Sequence, residues 1–427
     1  MNLNHYPYIP KDIVLRRYQN VNIYDLKHDE SFIIDEEAFS LLQLIDGKID
    51  GITIVNQYQK TKQEEVNEIL YQFNDLDLVK FSQNRIEDSA EIYTDHIDLP
   101  QKNPFDPPYL KNLMINITEK CNLSCKHCYI TDKNKIDMPL KELMDIIQEF
   151  YNVQGIRLIL TGGEPFLYTE LKDLLKKLTN IPLQKVMLTN GVLIRKQDNE
   201  IIELLKQNNF EIFVSLDGLE EAHNDFRNAD CFKEIIQGIK RLLKSDISVS
   251  INTMIHKQNL DDFDGMLKLI RSLGKIKNWS IDIPTIDEST PKEIREKYEP
   301  SPEKGGEILK NYGWGVIYES DPEGEQFDYA CGPFLMAIDV IGKITKCGFF
   351  TDQSPGNIFD LGLKKAWRLV QKDLNWNIKD LECANLGCEY LEQCRGGCRY
   401  RAYKSSGNIY GIDPYKCVQF GQKIKSK

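Results

Sequence analysis

From residue 112 the chain alternates short apolar runs with amphipathic ones. NLMINIT leads to PLKELMDIIQEFY, IRLIL to LKDLLKKL, KVMLT to EIIELLKQ and EIFVSL to FKEIIQGIKRLL. SVSINTMI leads to LDDFDGMLKLIRSL, and WSIDIP closes the series. No other feature limits the fold so strongly. Continuous β-rich runs are strands buried on both faces, each followed by a helix with one apolar stripe, and right-handed crossovers make such a sheet parallel. Six units, short of the eight of a closed barrel, predict an α/β fold: a partial (β/α)6 TIM barrel, open on one side, over residues 112–283. In such barrels the loops after the strands build the active site, and the unusual residues of this chain fall there.

The flanks read differently. Residues 12–34 hold three strand-like runs, and helical patterns follow in EEAFSLLQLIDG, ITIVNQYQK and KQEEVNEILYQF, with an extended LDLVKF at 76–81. Phe39, Leu42 and Ile45 share a face, and Gly47 can end the first helix. This predicts an N-terminal domain over 1–82, a polar, proline-ending linker over 83–111, and a charged connector over 284–327. Residues 328–427 carry seven Cys, many Gly and little helical periodicity, as expected of a domain scaffolded by metal. The 427 residues carry 54 Lys+Arg against 65 Asp+Glu, a net charge of −11, which argues against a nucleic-acid partner. The N-terminus lacks the apolar core of a secretory signal, and no apolar run approaches the roughly 18 residues of a membrane span. A reducing cytoplasm is therefore expected, where eleven Cys read as metal ligands sooner than disulfides.

The first barrel strand is followed by CNLSCKHCY, which sets Cys121, Cys125 and Cys128 in a C-x3-C-x2-C pattern. Three thiolates on one loop can bind three irons of a [4Fe–4S] cube and leave the fourth iron for another ligand. A zinc site completed by His127 is the alternative. The second strand ends in TGGEP, where Gly162 and Gly163 expose backbone and Glu164 adds a carboxylate suited to an ammonium. The third ends in TNG, with Asn190, and the fourth in SLDG, with Ser215 and Asp217 placed for ribose hydroxyls. Arg227 in HNDFRN is a candidate partner for a carboxylate. Cys231, away from either thiol group, reads as a structural thiol.

CNLSCKHC, TGGEP and SLDG in this order resemble the radical S-adenosylmethionine (SAM) superfamily over about residues 112–283. The resemblance implies that the free iron chelates SAM, whose reductive cleavage yields a 5′-deoxyadenosyl radical that abstracts a substrate hydrogen. It also implies that Gly162, Gly163 and Glu164 hold the methionine amino group, Ser215 and Asp217 the ribose, and Arg227 the carboxylate. Asn190 joins this SAM-binding set. His127, at the usual aromatic position before the third Cys, lies near the adenine or is a packing histidine. No catalytic residue is assigned.

The second group, C-x10-G-x4-C (Cys331, Gly342, Cys347) and C-x4-C-x5-C-x3-C (Cys383, Cys388, Cys394, Cys398) with Cys417, resembles the SPASM domain. The resemblance implies auxiliary cluster I on Cys331, Cys347 and Cys398 and auxiliary cluster II on Cys383, Cys388, Cys394 and Cys417. That makes three [4Fe–4S] clusters in all. The usual C-x2-C is C-x4-C here, and structural zinc is the alternative. The fourth position of cluster I is left to Glu325, to Asp328, or to an open iron that takes a substrate thiolate. The N-terminal strands and helices resemble the RiPP recognition element, a winged-helix (PqqD-like) module that binds leader peptides of ribosomally made, modified peptides. Residues near 28–35 and the helix at 62–74 would form its peptide surface. These resemblances imply a peptide maturase that oxidises the core of a precursor peptide and is fed by an external reductant such as flavodoxin or ferredoxin. The expected product is a Cys sulfur-to-carbon thioether, as in sactipeptide or ranthipeptide synthases. Carbon–carbon cross-linking of the streptide type and sulfatase-type maturation are the alternatives, and a non-catalytic iron–sulfur peptide carrier is the contrasting class.

Overall fold

The computed structural model describes residues 2–86, 92–128, 130, 136–284, 290–313 and 328–422. The chain divides into two compact units. One comprises residues 1–109 with 153–156 and 180–184, and the other takes in the rest.

In the first unit, strands β1 (Tyr6–Tyr8), β2 (Ile13–Arg17), β3 (Val21–Asp25) and β4 (Glu30–Ile34) precede helices Glu36–Leu42, Gly51–Asn56 and Gln63–Asp75, and β5 (Lys80–Ser82) follows. β2, β3 and β4 form an antiparallel sheet in which Leu15 faces Ile23 and Ile23 faces Phe32. Asp35 and Asp50 cap the first two helices by accepting the N–H groups of Ala38 and Thr53. The third helix buries Val66, Leu70 and Phe73, a spacing of four and three residues that puts them on one face. β5 pairs antiparallel with β1, a strand at residues 6–8 that the sequence reading does not include. The expected linker is not a solvated tether in its described part. Tyr93, Leu99, Phe105 and Tyr109 are buried, and Tyr93 and Leu99 join the core of this unit. Single apolar residues scattered through a polar stretch have no period, so their burial leaves no local signal.

The second unit is built on β6 (Asn112–Thr118), β7 (Arg157–Gly162), β8 (Gln184–Thr189), β9 (Glu211–Ser215), β10 (Ser248–Met254) and β11 (Trp279–Asp282). The sheet is mostly parallel and runs in the order β11-β10-β9-β8-β7-β6, as the alternation of the sequence predicts. Helix Leu140–Asn152 buries Leu143, Ile146, Ile147 and Phe150, and helix Phe232–Lys244 buries Ile235, Gly238, Ile239 and Leu242. The sheet does not stop at six strands. β12 (Leu335–Ile338) pairs parallel with β6, and β13 (Ile344–Thr345) pairs antiparallel with β12, giving eight strands. Leu335 and Ala337 pack there with Met114, Ile159, Val186 and Phe213, so the cysteine-rich region supplies part of the barrel core. That region is also more helical than expected: helix Leu363–Asp373 buries Leu363, Ala366, Trp367 and Val370. Among the described residues no helix is long and apolar enough to cross a membrane.

Candidate functional site

Each parallel strand delivers its unusual residues at its C-terminal end. The loop after β6 carries Cys121, Cys125 and Cys128, all free thiols. Its base is clamped to the end of β7, where Gly163 N–H donates to Thr118 O and Glu164 N–H to Lys120 O, both at 2.7 Å. The glycines are a condition of that clamp. A Cβ on Gly163 would lie 2.3 Å from Lys120 O, and one on Gly162 2.3 Å from Thr118 O. Those two amides are therefore spent on the thiol loop and are not free for a ligand.

The Glu164 side chain is also turned inward. It is fully buried and accepts from Thr189 Oγ1 at 2.8 Å, Asn190 N–H at 2.9 Å and Phe166 N–H at 3.1 Å. Burial pushes its pKa up to about 7. Asn190 points its amide toward the thiol loop, with Nδ2 2.9 Å from Asn122 Oδ1 and 3.9 Å from Cys121 Sγ. Ser215, half-buried, ends β9 beside Asn252.

Asp217 and Arg227 form a buried pair, with Oδ2 2.5 Å from both Nε and Nη2. The other Asp217 oxygen accepts Met254 N–H at 2.8 Å. Arg227 Nη1 in turn donates to Cys125 Sγ at 3.7 Å. Asp217 is thus engaged on both carboxylate oxygens, by Arg227 on one and Met254 N–H on the other. His256 Nε2 and Asn259 Nδ2 hold the Asp217 carbonyl at 2.9 and 3.0 Å, and His223 Nδ1 accepts its N–H at 3.0 Å. His127 stacks on Phe226 at 4.1 Å, and Phe226 stacks on His256 at 4.0 Å. Burial, then the Arg227 charge, pushes His127 down to about 3. Cys231 is buried, with Sγ 3.6 Å from His223 Nε2, and burial raises its thiol to about 11.

Of the C-terminal thiols, Cys331, Cys383 and Cys388 pack in one apolar cluster with Ala330, Ile378 and Leu381. Cys398 donates a hydrogen bond to Cys331, which lowers the Cys331 thiol and raises Cys398, and burial first, then the Cys331 charge, raises Cys347 to about 11. Cys383, Cys388 and Cys394 all act on Cys417, whose thiol burial pushes up to about 12. Three charged residues that the sequence reading passed over organise this region. Asp413, buried, accepts Cys398 N–H at 2.8 Å and pairs with Arg401 at 2.9 Å, and Arg401 also reaches Asp282 at the end of β11. Lys346, 1% exposed, adjoins Cys347. Of the two oxygen donors considered for cluster I, Asp328 is paired with Lys379, and Glu325 lies outside the described residues. Among the described residues no three His, Cys, Asp or Glu side chains are arranged around a single ion. A cubane, which holds its thiolates at separate corners, does not require that convergence. Guanidinium and amide donors directed at Cys125 and Cys121 also fit a group that carries negative charge.

Residues 115–270 match the family model described as the Radical SAM superfamily. The chain is similar to the AdoMet-dependent heme synthase of Methanosarcina barkeri, 25% identical over 348 residues that span 72% of this chain and 96% of that protein. In structure it is similar to Streptococcus suis SuiB bound to its precursor peptide SuiA, with TM-score 0.67 and 17% identity over 96% of this chain and 99% of that one. It is also similar to anSMEcpe bound to AdoMet and a peptide, with TM-score 0.57 and 19% identity over 74% of this chain and 95% of that one.

Proposed function

Residues 115–270 of this chain form a radical SAM domain, and from that premise we propose that the protein is a peptide maturase that binds a precursor leader and oxidatively cross-links its core. The observation that carries this reading is the first unit. The similarity to SuiB extends over 96% of this chain, whereas the similarity to the heme synthase extends over 72%. Among the described residues its strand β4 pairs with β3 alone and carries Ile33, 40% exposed, and Tyr71 and Leu76 are further exposed apolar residues of the unit. An extended leader can add to such an edge.

Cys121, Cys125 and Cys128 would hold the first cluster, which supplies the electron that cleaves SAM. Asn190, Ser215 and Arg227 would orient SAM, Arg227 doing so while its three nitrogens also engage Asp217 and Cys125. Gly162 and Gly163 would act through carbonyl oxygens, since the Gly163 and Glu164 amides are committed. Cys331, Cys347 and Cys398 would hold one auxiliary cluster and Cys383, Cys388, Cys394 and Cys417 the other. A thioether from a peptide Cys is the favoured product.

The test is mass spectrometry of a Cys-containing precursor after anaerobic turnover. Loss of two hydrogens, blocked by Cys-to-Ser substitution in the precursor, is expected. Loss that persists in the Ser precursor would assign a carbon–carbon bond instead. The heme-synthase relatives support a second reading, a tetrapyrrole substrate. Turnover of an iron porphyrin with no change in any peptide would select it.

A further inference from the structure

We propose that Lys346 is a built-in counter-charge for the group held by Cys331, Cys347 and Cys398, and sets the potential at which that group takes up one electron. The inference rests on the reading that these three thiols hold an iron–sulfur cluster.

Lys346 is 1% exposed, so water does not solvate its ammonium. An ammonium has three donors to place, and the hydrogen bond found here goes to Asn375 Oδ1. No carboxylate among the described residues pairs with it. Other buried cations of this unit are provided for: Arg401 has Asp282 and Asp413, Arg227 has Asp217, and Arg399 spreads over the carbonyls of Ile409, Gly411 and Gly396. Water strongly stabilises an ammonium that the interior does not, so a buried one needs a counter-charge, and an anion is expected beside Lys346. Burial lowers the Lys346 ammonium to about 8, and the charges of Cys331 and Cys347 oppose that fall. Asn375 fixes the arrangement from the other side, because its Nδ2 donates to Pro333 O, in the Cys331 loop, at 3.4 Å. The ammonium is therefore held by the same loop that carries the first thiol, one residue before the second.

A fixed positive charge in a low-dielectric interior favours the more negative redox state. One-electron reduction adds a negative charge to the cluster and leaves the ammonium unchanged, so Lys346 raises the potential of this cluster.

The test uses the full chain, loaded anaerobically, with iron counted per chain and each cluster followed by spectroelectrochemical titration. A C331A/C347A/C398A variant identifies the signal in question by its disappearance with about four irons. K346M removes the charge, N375D cancels it with a carboxylate, and K346R keeps it. In K346M and N375D that signal is expected to shift to more negative potential with iron unchanged and the Cys121/Cys125/Cys128 signal unmoved, while K346R stays near the parent. Iron lost from K346M and retained in K346R also supports the proposal, because the cation is then required for assembly. Parental potential in both K346M and N375D, with iron in place, overturns it. A triple Cys variant that keeps all its iron overturns the underlying reading instead.

Discussion

Glu164 illustrates how a single side chain can have the chemistry read from the sequence and a different placement. A carboxylate after two glycines looks available to a ligand, yet three donors hold it inside the barrel and no part of it reaches solvent. Its folded pKa of about 7 lies above the ordinary 4.5, so the folded chain holds this proton more tightly than the unfolded one. The resulting stability is present in full below about pH 4.5 and is lost as pH rises through about 7, on the order of 3 kcal/mol in total. Denaturant melts from about pH 5 to 8 should show the parent losing that much relative to E164Q. Parallel profiles would mean that the three donors keep Glu164 ionised throughout. Asp217 shows the same kind of displacement: with Arg227 on one oxygen and Met254 N–H on the other, it positions the guanidinium that reaches Cys125.

Among the elements, β4 and β12 have opposite fates at sheet edges. β12 closes onto β6 and buries Leu335 and Ala337 in the barrel core, whereas β4 has no partner on its outer edge among the described residues. An unpaired edge with exposed apolar side chains invites strand addition. Ile33→Asp on that edge should therefore weaken precursor binding about tenfold, or ~1.4 kcal/mol. Because Ile33 is a surface residue, the fold and substrate-free SAM cleavage should be unchanged. Titration calorimetry or anisotropy with a labelled leader reads this directly, and unaltered affinity would remove β4 from the leader surface. Deleting the whole first unit would be a poorer experiment. Arg16 of β2 donates to Gly155 O at 2.9 Å and also to Pro182 O, so this unit includes segments that lie between the barrel strands in sequence.

Across the whole molecule, the thiols lie as one triad on the loop after β6, a lone buried Cys231 and seven in the C-terminal region. Loops that are separate in the chain and held by separate partners should load separately. Replacing Cys121, Cys125 and Cys128 with Ala is expected to abolish 5′-deoxyadenosine formation and remove about four irons per chain, with the remaining iron retained. Iron analysis alongside chromatography of the nucleoside product checks both halves. Loss of all iron would mean that the triad loop is required for the C-terminal sets to form.

The parallel barrel, the triad and its neighbouring motifs, and the spacing of the C-terminal cysteines were all legible in the amino-acid sequence. Periodicity, capping and loop motifs are properties of residues close together in the chain. The sequence could not show that β12 pairs with β6 more than two hundred residues away, or that Tyr93 and Leu99 are core residues. Nor could it show that Asp217 pairs with Arg227, or that among the described residues no carboxylate pairs with Lys346. Each of these depends on which distant groups share one buried space. Burial turns a charge that would be solvated at the surface into one that must find a partner, and only the tertiary structure assigns that partner.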